Sequence, residues 1–269
     1  MRNIWSWKNS TVKHFMTLVS PIRYNHIYLI HYLKSNHYAI DNNENFGVYY
    51  REYFNPMLSI RRALAECAVL ISRLDKTDLD WSAEFLTNVF LNGPPITKLF
   101  SPPGVEKQLR YFMRCNCALA LNTGECYATE ARDGLAFWLP PGRSSIRIAD
   151  MWRAGMFWAP LKYGLIGTAK VIGFAHHIAA MHKRNAPMPH YYLFLTGVDP
   201  KQQRQGVSTA LLSEMLLRID AERMPVYLET QSAGNVEIYK KLGFEVVEMR
   251  AFPITSKVFN WGMLRQTQG

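Results

Sequence analysis

The sequence predicts a mixed α/β fold, a central sheet flanked by helices, and three observations predict it. Residues 190–249 run strand, polar glycine-bearing turn, helix, strand, helix, strand. Upstream, two β-branched and aromatic runs flank Asp133-Gly134, a dipeptide suited to a tight hairpin turn. Between and before these lie segments whose apolar residues recur at three- and four-residue intervals. An apolar content of 48% supplies a real core.

Taken in order, residues 1–50 are rich in Asn, His, Tyr and Ile and carry no motif. They are expected to form a poorly ordered arm, or sequence translated upstream of an original start at Met57. The domain pattern begins at Leu58-Ser59-Ile60-Arg61-Arg62 and is expected to fill 57–266. A strand is predicted near 57–63, helices near 64–73, 80–91 and 105–114, and strands near 125–130 and 135–139. Pro140-Pro141-Gly142 ends that hairpin. Residues 144–184 then form an insertion with helical spacing: Ile148, Met151, Trp152, Met156 and Trp158, followed by Leu165, Ala169, Ile172 and Ile178. Trp152, Phe157, Trp158 and Tyr163 read as core, with the wall of an acceptor pocket as the alternative.

The segment Val198 to Leu212 leaves a strand, turns through Gln203-Arg204-Gln205-Gly206, and opens a helix. At a helix start the first backbone N–H groups lack intrahelical partners and the dipole is positive, so a phosphate is held favourably there. A P-loop would need Gly-Lys-Ser/Thr and a dinucleotide fingerprint more glycines, and neither is present. Val207, Leu211, Met215, Leu216 and Ile219 form one face of the helix, and Pro225 ends it. Val226–Thr230 is a strand, and Gln231-Ser232-Ala233-Gly234 a turn. A helix near 234–242 puts Asn235 and Tyr239 on one face and lets Glu237 pair with Lys241. Gly243 stops it before a strand at Phe244–Met249.

Gln203-x-x-Gly206-x-Ser208 resembles the acyl-CoA signature of the GNAT (GCN5-related) N-acetyltransferases, with Ser208 where that family usually has glycine or alanine. Asn235-x-x-x-Tyr239-x-x-x-Gly243-Phe244 resembles the family's second signature, and the order of elements around both matches its C-terminal half. Among members, the Gly-Val-x-Pro, Leu-Glu-Thr and Tyr-x-x-x-Gly-Phe segments are most similar to puromycin N-acetyltransferase-like proteins. The match covers about 190–264 and extends faintly back to about residue 57, including Phe137–Gly142. The resemblance implies a mixed, mostly antiparallel, twisted sheet splayed between its fourth and fifth strands. It also implies acetyl-CoA as co-substrate, no metal, and an amine of a small molecule or peptide as acceptor, attacked directly in a ternary complex.

By that resemblance the co-substrate contacts fall to Leu195, Thr196, Gly197, Val198, Gln203, Arg204, Gln205, Gly206, Val207, Ser208, Asn235 and Tyr239. Gly197 marks a bulge or a close backbone approach, and a backbone donor near Leu195–Gly197 serves the oxyanion. Tyr239 matches the position whose phenol protonates the departing sulfur. Glu229, at the end of its strand, is the first choice of general base, with a structural glutamate as the alternative. A non-catalytic CoA-binding module of the same fold is the rival reading, and Ser208 its best argument.

The net charge of +10 is uneven, since Arg2, Lys8, Lys13, Arg23 and Lys34 precede the first acid, Asp41. The remaining surplus suits coenzyme A at least as well as a polynucleotide, so no nucleic-acid partner is expected. Nor is a membrane partner, because no apolar run of about 18 residues exists. A cytoplasmic protein is expected, and a homodimer is compatible with it. Cys67, Cys115, Cys117 and Cys126 have no zinc spacing and read as reduced, partly buried thiols. His176 and His177 lie about 100° apart on a helix and do not chelate one ion. His190, just before the central strand, reads as a partly exposed strand-end residue near the site.

Overall fold

The computed structural model describes residues 70–91, 96–100, 102–144, 146–252 and 255–267. The expected arm, Met57, the strand at 57–63, Cys67 and most of the helix at 64–73 lie outside them. The elements are β1 (Ile71–Arg73), α1 (Leu79–Leu91), α2 (Val105–Thr123), β2 (Glu125–Thr129), β3 (Gly134–Leu139), α3 (Ile148–Arg153), α4 (Ala159–Asn185), β4 (Tyr191–Val198), α5 (Val207–Ala221), β5 (Val226–Thr230), α6 (Ala233–Lys241), β6 (Glu245–Phe252) and β7 (Thr255–Arg265).

The strands form one seven-stranded sheet in the order β1-β2-β3-β4-β5-β7-β6. Every neighbouring pair is antiparallel except β4 and β5, which run parallel. That pair needs a crossover, and α5 supplies it. Helices cover both faces. On one, Leu211, Leu212, Met215, Leu216 and Ile219 of α5 and Val236 and Tyr239 of α6 pack against Trp138, Leu193, Val226 and Leu228. On the other, Leu86 of α1 and Leu109, Met113 and Cys117 of α2 pack against Leu135 and Phe137. The alternation of β3 side chains, Leu135 and Phe137 to one cluster and Ala136 and Trp138 to the other, is the two-residue period of a strand with both faces buried.

Several expectations change. Residues 71–73, the end of a predicted helix, are an edge strand paired to Tyr127–Thr129. Helix α2 runs to Thr123 rather than stopping near 114. Its second half holds Asn and Cys of low propensity, but burial of Cys117, Leu119 and Ala120 outweighs that preference. Asp133-Gly134 does not form a two-residue turn. Arg132 takes the left-handed conformation (φ 59°), and Thr129 Oγ1 accepts from the Asp133 and Gly134 amides at 3.0 and 3.1 Å. The side chain of Thr129 therefore fixes a wider loop.

The insertion is helical as expected, but its apolar stripe faces outward. Gly164 (φ 69°) breaks α4. Beyond the break the buried positions are Gly167, Met181 and His182, with Val171 and Phe174 partly buried, whereas Leu165 and Ile172 are 80% and 63% exposed. Tyr163 packs on Phe100 and Tyr111. Trp152, Phe157 and Trp158, read as core, are 67%, 49% and 61% exposed. The segment carries two apolar stripes, and the sheet layer has room for one.

Candidate active site

The site begins where β4 parts from β5. The two strands pair at Tyr191↔Val226, Tyr192↔Tyr227 and Leu193↔Leu228, the last pair between them among the described residues. Beyond it β4 continues to Val198, held only on its β3 side through Leu195↔Phe137, Thr196↔Ala136, Gly197↔Leu135 and Val198↔Gly134. The register with β3 shifts at this point, leaving Phe194 as an extra residue on β4. A bulge bends and twists the strand that carries it, so β4 swings away from β5. Burial changes at the same residue: Tyr191–Leu193 are buried, and Phe194, Leu195 and Thr196 are partly exposed.

The bulge is thus at Phe194 rather than at Gly197. Gly197 serves close approach instead: a Cβ there would lie 3.0 Å from Leu86 Cδ2 and 3.3 Å from Val89 Cγ1, so glycine lets α1 rest on the strand. Along Leu195–Val198 the backbone groups that point away from β3 have no partner strand. The Val198 carbonyl is met by Gln203 Nε2 at 3.5 Å, and Thr196 Oγ1 donates to the Leu135 carbonyl at 2.9 Å.

The turn after β4 is held by its own polar groups. Asp199 Oδ1 accepts from the Lys201 amide at 2.8 Å, and Gln205 Nε2 donates to the Lys201 carbonyl at 3.2 Å. Arg204 and Gly206 both take positive φ, 63° and 84°, which turns the chain so that α5 starts at Val207. No side chain caps this helix start, so its first amides are available to an acceptor from outside. Gln203, Arg204 and Gln205 are exposed, and Gly206 and Ser208 partly so. These residues therefore form a cradle suited to a diphosphate.

On the α5–α6 face, Ser232 caps α6, with Oγ accepting from the Asn235 amide at 3.4 Å. Asn235 is exposed, while Tyr239 one turn later is buried at 5%, edge-on to Phe244. Burial pushes its phenol above the ordinary range. Glu237 pairs with Lys240 at 2.9 Å.

On the opposite face stands Glu229, two residues from Tyr227 and so on the same side of β5. Its Oε2 accepts from Tyr192 Oη at 2.6 Å. Oε1 and Tyr227 Oη are both shut from solvent. Burial raises the carboxyl from 4.5 to about 8, and the Tyr192 and Tyr227 phenols oppose that rise. Beneath it lie His182, stacked on Tyr227 with ring centroids 4.8 Å apart, and His190, whose Nε2 is 2.6 Å from His182 Nε2. Burial holds both imidazoles below their ordinary range, His182 at about 4.

A family profile for the acetyltransferase (GNAT) domain matches residues 156–246, which takes in α4, β4, the cradle, α5, β5 and α6. Over these residues the chain matches the GNAT acetyltransferase domain. It is 28% identical over 117 residues to an uncharacterized N-acetyltransferase of Schizosaccharomyces pombe, covering 41% of this chain and 47% of that one. The chain thus spans about half the length of that curated relative. Among solved structures, the histone acetyltransferase HPA2 and related acetyltransferase of Corynebacterium glutamicum superposes with TM-score 0.52 at 16% identity, covering 74% of this chain and 97% of that one. A putative arylalkylamine N-acetyltransferase 7 of Aedes aegypti gives TM-score 0.51 at 13% identity, over 74% and 87%. At these identities the likeness is one of fold.

Within the matched residues the sequence-predicted site residues fall into two groups. Leu195–Val198 and Gln203–Ser208 adjoin along the end of β4 and the start of α5. Tyr239 and Glu229 lie on opposite faces of the sheet, Glu229 one residue beyond the last β4–β5 pair. Tyr192 and Tyr227 are not singled out by sequence, His182 is read there only as part of a discounted histidine group, and His190 is buried at 4% rather than partly exposed. Part of that cluster was legible: Tyr227 and Glu229 share a face by strand alternation. The Tyr192↔Tyr227 pairing needed the parallel register.

Proposed function

We propose that this protein is an acetyl-CoA-dependent N-acetyltransferase that passes the acetyl group to an amine of a small molecule or peptide by direct attack. The carrying observation is the parting of β4 and β5 after Leu193↔Leu228 beside an uncapped helix start at Gly206. The residues fit the co-substrate. Arg204, the amides of Gln205–Ser208 and the left-handed Gly206 hold its diphosphate, the unpaired edge of Leu195–Val198 pairs with its amide-bearing arm, and exposed Asn235 in the first turn of α6 is a further contact. Bound there, the co-substrate supplies a thioester carbonyl.

The chain's own groups do the proton work. An amine of pKa near ~10 is mostly protonated at neutral pH and needs a base. Glu229, raised by burial to about 8, accepts that proton on the α4 side of the sheet. A backbone amide near Leu195–Gly197 faces the developing oxyanion, a donor worth roughly 3 kcal/mol in other enzymes. Tyr239, on the α6 side, returns a proton to the departing sulfur. Direct attack is favoured over an acyl-enzyme because Cys115, Cys117 and Cys126 are buried and free, and burial pushes the Cys126 thiol to about 12. The unit responsible is 57–266, with the first 50 residues dispensable.

Purified protein mixed with acetyl-CoA and a panel of small amines and amino-terminal peptides tests this by release of free CoA thiol. Amine-dependent release supports the enzyme. Tight acetyl-CoA binding with no release for any amine would instead identify a binding module, the reading that Ser208 favours.

A further inference from the structure

We propose that the outward face of α3 and α4 is a peripheral membrane-binding surface that lies on an anionic lipid bilayer. Ile148, Trp152 and Trp158 are 75%, 67% and 61% exposed, and Leu161, Leu165, Ile166 and Ile172 are 77%, 80%, 75% and 63% exposed. They come from one continuous stretch, and this much exposed apolar side chain marks a surface that is covered in use. Among the described residues no helix is long and apolar enough to cross a membrane, so the surface would lie on the bilayer rather than span it.

The charge around it selects the occupant. Between Asp150 and Asp199 there is no acidic residue, and residues 143–185 hold seven Lys and Arg against the single acid Asp150. That acid is already engaged by Arg153 at 3.4 Å, and of the seven bases Arg184 is engaged by Glu248 at 2.9 Å. Arg143, Arg147, Lys162 and Lys183, from the same stretch of chain, are exposed. A second copy of this chain would set the same bases against each other in a two-fold interface. The chain's first 40 residues carry five Lys and Arg and no acid, so they do not complement it either. Exposed tryptophans with Leu and Ile, rimmed by Lys and Arg, are the composition that seats a helix among headgroups while the bases meet anionic lipid. This face replaces the expectation of no membrane partner, which rested on the absence of a spanning segment.

The test uses the full chain and co-sedimentation with vesicles of phosphatidylcholine alone or enriched in phosphatidylserine. Sedimentation with the phosphatidylserine vesicles, weakening as salt is raised and accompanied by a blue shift of tryptophan emission, is expected. One chain carrying Trp152→Ser, Trp158→Ser, Leu165→Ser and Ile172→Ser should lose at least about tenfold in partition with its circular dichroism unchanged. Should that variant misfold, Arg147→Gln with Lys162→Gln and Lys183→Gln removes charge from exposed positions and should cut partition to the anionic vesicles alone. No partition of the native chain at low salt overturns the proposal. So does partition that both variants retain, which would assign it to the basic first 40 residues. A concentration-dependent dimer that the apolar variant abolishes would make the face a contact between copies and overturn it equally.

Discussion

The two halves of β4 make an instructive contrast. Tyr191–Leu193 have strands on both sides and are buried, and they belong to the core in the ordinary sense. Phe194–Val198, in the same strand, keep β3 but have no β5 partner and are partly exposed except at Gly197. One inserted residue at Phe194 separates the two. A sheet thus opens on one side without losing its hydrogen bonds to the other neighbour, since the bulge bends the strand away from only one side.

The contrast breaks most completely at the turn that follows the open half. Gly206→Glu puts a side chain on a residue at φ 84° and a negative charge at the helix start, and should abolish acetyl-CoA binding by calorimetry; undiminished affinity would remove the cradle from the site. Glu229→Gln comes next, with a fall of about 10²–10⁴-fold in kcat/KM. In the native enzyme activity should rise with pH until about 8 and then level, because Glu229 titrates there, and the variant should lose that limb. The same shift bears on stability. Glu229 is a stronger proton binder folded than unfolded, so its contribution is complete below about 4.5 and is lost as pH rises through about 8. Glu229→Gln should therefore gain in Tm relative to the native chain as pH is raised across that window.

Tyr239→Phe should lower kcat by about 10²-fold with little change in acetyl-CoA affinity, and an unaltered kcat would return Tyr239 to packing. Tyr192→Phe probes the closed half. It removes a donor to ionised Glu229 at 2.6 Å, so the pH limb should move to higher pH by roughly one unit while the maximal rate is largely kept. Deletion of residues 1–50 should have the smallest effect, leaving kcat/KM for the best amine in the panel unchanged.

The sequence determined the elements from β2 to β6 because each carries its own signal. Val226–Thr230 is β-branched and aromatic, α5 has one buried apolar face, and Gly206 sits where φ must be positive. It also determined the chemistry of the turn, since the backbone there needs only local residues to present its amides. Tertiary structure decided what depends on partners distant in the chain. Bulge placement at Phe194 rather than Gly197 follows from the β3 register, and Glu229 gains its hydrogen bond to Tyr192 only because parallel strands bring residues 37 apart together. The outward turn of Leu165 and Ile172 has the same origin. A helix with two apolar stripes does not say in its own sequence which one the rest of the molecule has room to cover, because burial is a property of the space left by neighbours and not of the side chain alone.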